Sequence, residues 1–350
     1  MIKNTLYSFN LDIQHILKTI EALENPSDRL YGLYELKKRG WQINASEKKL
    51  SKVQAFFRNF GVYYFPLSIL WQSRNADAFL FKNGFSLLIG LWGKILNKKV
   101  IYLDCSFPIP KSKLKYLVYK INLLLATFII SYSKNQIDLW TKHFNISKTK
   151  FMFMPYCIDV GFYLDGYKKA KEKAVDSEMY VLAAGRDIGR EYTTLVNAIK
   201  KMDIKLKLVT LPYLFPPNVQ NEPLVEIFQY LSYDELFSLY ANALAIVVPL
   251  KKGVNHPSGI RAVLESLLIG KPTIATYTSI LDEYVPASSE ALLYVNAEDE
   301  KDMTNALQKI KDDPELRTRL EAAAPSMVQE KFDMKVFVDT FEEFWKQNIV

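Results

Sequence analysis

Residues 185–190 read Gly-Arg-Asp-Ile-Gly-Arg, between an apolar run and a helix-like stretch. Gly185 and Arg186 close the run; Gly189 and Arg190 open the stretch. Glycines permit a tight turn, a helix start leaves amide N–H groups free, and guanidiniums offer planar sets of donors. That combination suits a phosphate or diphosphate. It equally describes a tight turn with two solvated arginines. The three-glycine dinucleotide fingerprint is not present. A second stretch, Asn255 to Pro272, reads NHPSGIRAVLESLLIGKP. Pro257 fits a rigid turn, and Ser258, Gly259 and Ile260 bring a hydroxyl and amides to a helix start, where an anion is favoured. Glu265 lies one to two turns inside, among Val263, Leu264, Leu267, Leu268 and Ile269. One reading is a surface pair with Arg261, four residues earlier, contributing a few tenths of a kcal/mol. The other is a partly buried carboxylate that needs a donor, which the two hydroxyls of a ribose would supply.

Both stretches need a strand behind them and a helix after them. EMYVLAAG reads as a strand ending at Gly185, 190–202 as a helix, and LKLVTLP and Val225–Leu231 as strands. YDELFSLYANA reads as a helix with Ser232 and Glu235 in capping-box spacing, followed by the strand LAIVVPL. GIRAVLESLLIG is then a helix and KPTIATY a strand; the tail, 298–345, is helical with breaks near Pro314 and Pro325. The first half alternates in the same way. Strands are expected at Thr5–Phe9, just after Gly40, at Ala76–Phe81, Lys98–Asp104, 127–131 and up to Pro155, with helices at Ser27–Gly40, 113–125 and 134–144 and over GFSLLIGLWGKIL. The strands are apolar on both faces, which predicts parallel sheets covered on two sides. The lysine-rich segment Tyr167–Ser177 is the expected domain link. The fold class is therefore α/β, with two doubly wound domains in series facing across a cleft and ligands beyond the strand ends.

A chain of 350 residues suits two domains, and 49% hydrophobic residues support a sizeable core. Cys105 and Cys157, far apart, make neither a disulfide framework nor a metal cluster, and a reducing compartment is expected. The first residues lack an apolar signal core. The most apolar segment, Leu114 to Tyr132, is interrupted by Lys115 and Lys120 and reads as a helix and a buried strand. Residues 1–150 carry 23 Lys and Arg against 9 Asp and Glu; residues 151–350 carry 22 against 29. The basic half points to an anionic partner. No nucleic-acid motif accompanies the charge, so no nucleic-acid partner is expected.

The C-terminal half resembles the nucleotide-binding domain of the retaining two-Rossmann-domain glycosyltransferases, the GT-B fold. The resemblance rests on Gly185, Arg186 and Arg190, on DELFSLYANA, on a strand ending at Pro249, and on the turn and helix through LESLLIGKPTIAT. FMPYCIDVGFY resembles the family's interdomain segment, with Asp159 and Phe162 in its last two places, and SDRLYGLYELKKRGW resembles a first-domain helix. It covers most of the chain and is strongest from 178 to 285.

The resemblance implies an acceptor-binding domain at 1–160, a nucleotide-sugar-binding domain at 161–330 and a C-terminal helix, 331–350, returning toward the first. Arg186 and Arg190 would bind the diphosphate of a UDP- or GDP-linked sugar, Gly185, Ser258, Gly259 and Ile260 would assist, and Glu265 would bind the ribose. No cofactor or metal is implied. The activity would be transfer of a glycosyl group to an acceptor hydroxyl on a saccharide, glycolipid or glycoprotein, with retention. A nonenzymatic nucleotide-binding or scaffold protein, or a nucleotide-sugar epimerase of similar fold, are the alternatives. Two departures stand out. The family's second acid, seven to nine residues before the helix Glu, is replaced by His256, Pro257 and Ser258, with His256 as a substitute sugar contact. The family's first-domain histidine is replaced by Asp104, Cys105 and Ser106; Asp104 is a candidate contact for donor or acceptor in the cleft, or equally a cap on the following turn. The expected location is cytoplasmic, peripheral on the inner face of a membrane, with the lysines and the aliphatic and aromatic residues of 111–120 and Tyr63, Tyr64 and Phe65 against an anionic surface; the alternative is that Leu114 and Leu117 pack inward and the lysines are merely solvated.

Overall fold

The computed structural model of the chain describes residues 4–9, 13–45, 65, 67–82, 84–103, 108–174 and 179–349. These form two compact units. The first is Met1–Ala22, Ser27–Pro155 and Met334–Val350; the second is Leu23–Pro26 and Tyr156–Asp333. The chain changes unit at Pro155 and Tyr156, not in the lysine-rich segment. The first part of that segment is the end of a helix, Val160–Glu172, which lies inside the second unit. Asp159 caps this helix by accepting from the Phe162 N–H at 3.1 Å.

The first unit holds a parallel sheet of β1 (Thr5–Phe9), β2 (Gln42–Ala45), β3 (Ala78–Lys82), β4 (Lys99–Leu103), β5 (Phe128–Ser131) and β6 (Phe151–Phe153), in the order β2-β1-β3-β4-β5-β6. The expected helix Ser27–Gly40 is instead a 3-10 turn, Ser27–Leu30, and a helix, Leu33–Lys38. The break is at Gly32, whose φ is +81° and whose missing Cβ leaves room for Phe337. Phe337 belongs to the last helix, Met334–Asn348, which completes this unit. On that helix Asp339 and Glu342 pair with Arg39, Trp345 meets Trp41 edge to face at 4.7 Å, and Phe344 meets Phe128 at 4.9 Å.

The second unit holds β7 (Tyr180–Ala184), β8 (Lys205–Val209), β9 (Val225–Phe228), β10 (Ala245–Val248), β11 (Thr273–Thr276) and β12 (Leu293–Val295). Their order is β12-β11-β10-β7-β8-β9, and all neighbours are parallel. Strand residues alternate between two apolar layers. Leu182, Ile246 and Val248 enter one core, and Val181, Ala183, Ala245 and Val247 the other. The capping box at Ser232 and Glu235 is formed as the sequence predicts. The tail breaks at both prolines, giving helices Glu300–Asp312, Pro314–Ala323 and Pro325–Phe332 before the last one. The sheet grows from β7 through β8 to β9 on one side and from β10 through β11 to β12 on the other. A crevice at such a reversal is where open parallel sheets take ligands.

Trp345 is fully buried. Its replacement by alanine should destabilise the first unit by about 3–5 kcal/mol, seen as a lower urea midpoint.

Candidate functional site

The ends of β7 and β10 carry the two stretches singled out above. The helix after β7 begins at Thr193, not at Arg190. The intervening residues cross to the segment after β10: Arg190 and Leu250 form an antiparallel bridge, Glu191 N–H donates to the Pro249 carbonyl at 3.1 Å, and Lys251 N–H to that of Gly189 at 2.8 Å. Two hydroxyls hold the Gly185 carbonyl, Thr210 at 2.7 Å and Tyr192 at 2.9 Å.

Arg190 is only 4% exposed. Its Nε donates to the Asp187 carboxylate at 2.7 Å, and its Nη1 has no hydrogen-bond partner among the described residues. The guanidinium lies against Gly185, where a Cβ would come within 2.4 Å of its central carbon. Any other residue would displace the arginine. A Cβ at Gly189 would come within 2.5 Å of the Ser258 hydroxyl oxygen. That hydroxyl donates to Asp187, which also accepts from the Gly189 N–H at 3.1 Å. Burial alone would raise the Asp187 pKa, but the Arg190 charge and these three donors outweigh it and leave it lowered. For Arg190, burial opposes the charge, and Tyr192, Asp187 and Tyr240 together more than restore it.

Helix Ile260–Leu268 starts at this cluster. Gly259 precedes it with φ of +76°, 2.9 Å being all that a Cβ would have to Val248. No side chain caps its first turn. His256 is half-buried, and neither ring nitrogen has a partner among the described residues. Burial, with a smaller push from Lys251 against the pull of Asp187, lowers its pKa, so the imidazole is neutral at pH 7.

Glu265 is neither a surface residue nor a carboxylate without donors. It is 6% exposed, accepts from Arg261 Nε at 2.7 Å and from the Tyr240 hydroxyl at 3.0 Å. Arg261 in turn donates to the hydroxyls of Tyr163 and Tyr233 at 2.5 and 2.6 Å. A carboxylate offers about four acceptor positions, and Arg261 and Tyr240 take two of them. Tyr240, which donates to Glu265, also helps to raise the Arg190 pKa, after Tyr192 and Asp187.

Arg186 is held elsewhere. Its side chain is exposed, donates to the Gln229 carbonyl at 2.9 Å and lies 5.3 Å from the Tyr230 ring. Gly185, Arg190, Ser258, Gly259, Ile260 and His256 thus gather at one place, Glu265 follows further along the same helix, and Arg186 reaches to the end of β9, two strands from β7. Asp104 and Cys105 lie outside the described residues. Sequence reasoning passed over Asp187, although its spacing of three from Arg190 was a usable signal. It could not find Tyr240, which lies on another helix. Among the described residues, no three His, Cys, Asp or Glu side chains gather to hold a metal.

Residues 218–327 match the family described as glycosyl transferases group 1. The chain carries a glycosyl transferases group 1 domain. A search of curated proteins finds no match. Solved structures similar along the chain include a glycosyltransferase from Rickettsia africae ESF-5, at 15% identity, 99% of each chain and a TM-score of 0.69. Sucrose-phosphate synthase from Thermosynechococcus elongatus is similar at 17% identity, 99% of each chain and a TM-score of 0.70. Anabaena Alr3699/HepE in complex with UDP-glucose is similar at 13% identity, 98% of this chain and 99% of that one, with a TM-score of 0.69. At these identities the likeness is one of fold, and the fold is GT-B.

In the group 1 domain, Glu265→Ala should strand the Tyr240 hydroxyl and Arg261 and cost about 1–3 kcal/mol of stability in a denaturant titration, whereas Glu265→Gln should cost less. Asp187 contributes stability that is complete above its unfolded pKa, about 3.9, and is lost as pH falls through its lower folded value. Asp187→Asn should therefore lower the thermal midpoint at pH 7, and the gap to the unaltered protein should narrow below about pH 4.

Proposed function

We propose that the protein transfers a glycosyl group from a nucleotide-sugar to an acceptor hydroxyl, with retention, and that the group 1 domain binds the donor. The observation that carries this reading is Arg190: a buried guanidinium with an unpartnered Nη1, at the strand reversal of a parallel sheet and beside an uncapped helix start. A buried cation short of one acceptor is favourable ground for an anion. A diphosphate leaving group gains negative charge as the glycosidic bond breaks. Arg190 and the amides after Gly259 would stabilise that charge, and they would do so more in the transition state than in the ground state. Asp187 would hold the Nε edge of Arg190, so the guanidinium would not have to be oriented during the reaction. Arg186 is exposed and could leave Gln229 for an outer phosphate oxygen. The free acceptor positions of Glu265 would take ribose hydroxyls, and neutral His256 would contact the sugar where the resembled family has an acid. A UDP-linked sugar is the first donor to try, because UDP-glucose is bound by the structurally similar Anabaena protein. The acceptor is a saccharide, glycolipid or glycoprotein.

Calorimetry with UDP, GDP and their glucose conjugates tests this. Arg190→Lys should weaken the preferred nucleoside diphosphate by about 10- to 100-fold, the worth of a charge-assisted hydrogen bond. Arg186→Ala should weaken the diphosphate more than the nucleoside. Affinity unchanged in both variants would refute the assignment. Tight binding with neither transfer nor hydrolysis across a panel of acceptors would instead favour a nonenzymatic nucleotide-binding protein.

A further inference from the structure

Three helices of the first unit, Leu67–Ser73 (α3), Leu87–Ile95 (α4) and Lys113–Leu125 (α5), lie side by side. Their inward residues Ile69, Leu70, Ile89 and Leu123 join one core with Phe79 and Phe81 of β3, so they cover one face of the sheet. Trp92 of α4 donates to the Leu70 carbonyl of α3 at 3.0 Å. Gly90 brings α4 against α5 so closely that a Cβ there would sit 2.8 Å from that of Leu125.

The outward faces of these helices are apolar. On α5, Leu114 and Leu117 are 59% and 52% exposed, and Ile121 and Leu124 continue the same stripe at helical spacing. Leu91 and Ile95 of α4 and Leu67 and Trp71 of α3 are exposed beside it. The tyrosines of α5 face the other way: Tyr116 stacks on Phe144 at 5.1 Å and Tyr119 meets Phe85 at 4.8 Å. Phe65, expected at the surface, is buried on Phe9 and Phe81; Tyr63 and Tyr64 lie outside the described residues.

Next to the stripe is a pocket lined by Lys94, Lys98, Lys99 and Lys150, with exposed Leu124 belonging to both. Lys150 donates to the carbonyls of Leu123, Leu124 and Ala126 and so closes the end of α5. Burial, and then the nearby Lys94 charge, lower its pKa, as expected where positive charge is left unbalanced. Lys94, Lys98 and Lys99 form no ion pair among the described residues, and Lys113 opens α5 on the same exposed surface.

We propose that this face of the first unit docks on an anionic lipid bilayer, its leucines, isoleucines and Trp71 among the headgroups and its lysines against lipid phosphates. Apolar stripes flanked by lysines and an exposed tryptophan match the two halves of such an interface. A second copy of the chain would bring the same lysines toward one another, and a polynucleotide would leave the aliphatic stripes in water. No helix among the described residues is long and apolar enough to cross a membrane. The inference holds whether or not the protein transfers sugar.

Sedimentation of the full chain with vesicles of phosphatidylcholine, and of phosphatidylcholine mixed with phosphatidylglycerol, tests it without any donor. Binding should be at least about tenfold stronger to the anionic vesicles and should weaken with salt. Lys98→Gln and Lys99→Gln should each lower it by about fivefold, and Leu117→Ser with Ile121→Ser by about tenfold or more, with circular dichroism reporting an unchanged fold. Absence of binding to either vesicle overturns the proposal. So does binding that the lysine variants abolish and the leucine variants leave intact, which would describe a general polyanion surface. A concentration-dependent dimer that the Leu117 and Ile121 variants dissolve, with no lipid binding, would assign the face to a second copy.

Discussion

The ion pair of Arg190 with Asp187 lies where the segments after β7 and β10 cross, and both segments are shaped around it. Gly185 and Gly189 lack the carbon atoms that would otherwise occupy the space of the guanidinium and of Ser258. The bridge from Arg190 to Leu250 fixes the crossing, and Ser258 ties the start of helix Ile260–Leu268 to the same carboxylate. A charge this deep carries a desolvation penalty of several kcal/mol unless it is paired. Asp187 supplies one partner, and the tyrosines around it supply polar surroundings. One nitrogen stays unsatisfied. Buried polar groups left in this condition call for an explanation, and the donor diphosphate proposed above would supply one.

The second layer of the site is a stack of hydroxyls. Tyr163 and Tyr233 hold Arg261, Arg261 and Tyr240 hold Glu265, and the rings of Tyr163, Tyr233, Phe162 and Phe237 meet mostly edge to face. Gly166 on helix Val160–Glu172 leaves room for the Phe237 ring, which a Cβ would meet at 2.1 Å. Glu265 is thus set by packing from two other helices. A residue held in this manner can offer its remaining lone pairs in a fixed direction, which is what preorganised binding requires.

Much of this was legible in the sequence. Parallel strands buried on both faces read as short apolar runs between helices, so eleven of the twelve strands and most of the helices stood out near their places; the short edge strand β12 did not. The glycines beside Arg190 and Ser258 marked a crowded turn. Other features left no local trace. The delay of the helix to Thr193 comes from pairing with Leu250, some sixty residues on. The break at Gly32 answers to Phe337, near the other end of the chain. Tyr240 and Glu265 are 25 residues apart and on different helices. The lysine-rich segment looked like a link by composition, but the polarity of Lys168, Lys169 and Lys171 is that of a helix surface. Leu114 and Leu117 were ambiguous because exposure on a helix depends on which side its tyrosines choose.

The place of helix Met334–Asn348 has a consequence for how the protein is made. Phe128 and Trp41 of the first unit are covered by Phe344 and Trp345, which a ribosome adds only after all of residues 156–333. At about 5–20 residues per second, that is a wait of roughly 10–35 s with apolar surface open. Apart from Leu23–Pro26, the second unit is one continuous stretch, Tyr156–Asp333, and can close while the first is still unfinished. Nascent chains stalled or cut just before residue 334 would therefore carry one sound unit and one with a sticky face, the kind of surface that chaperones hold.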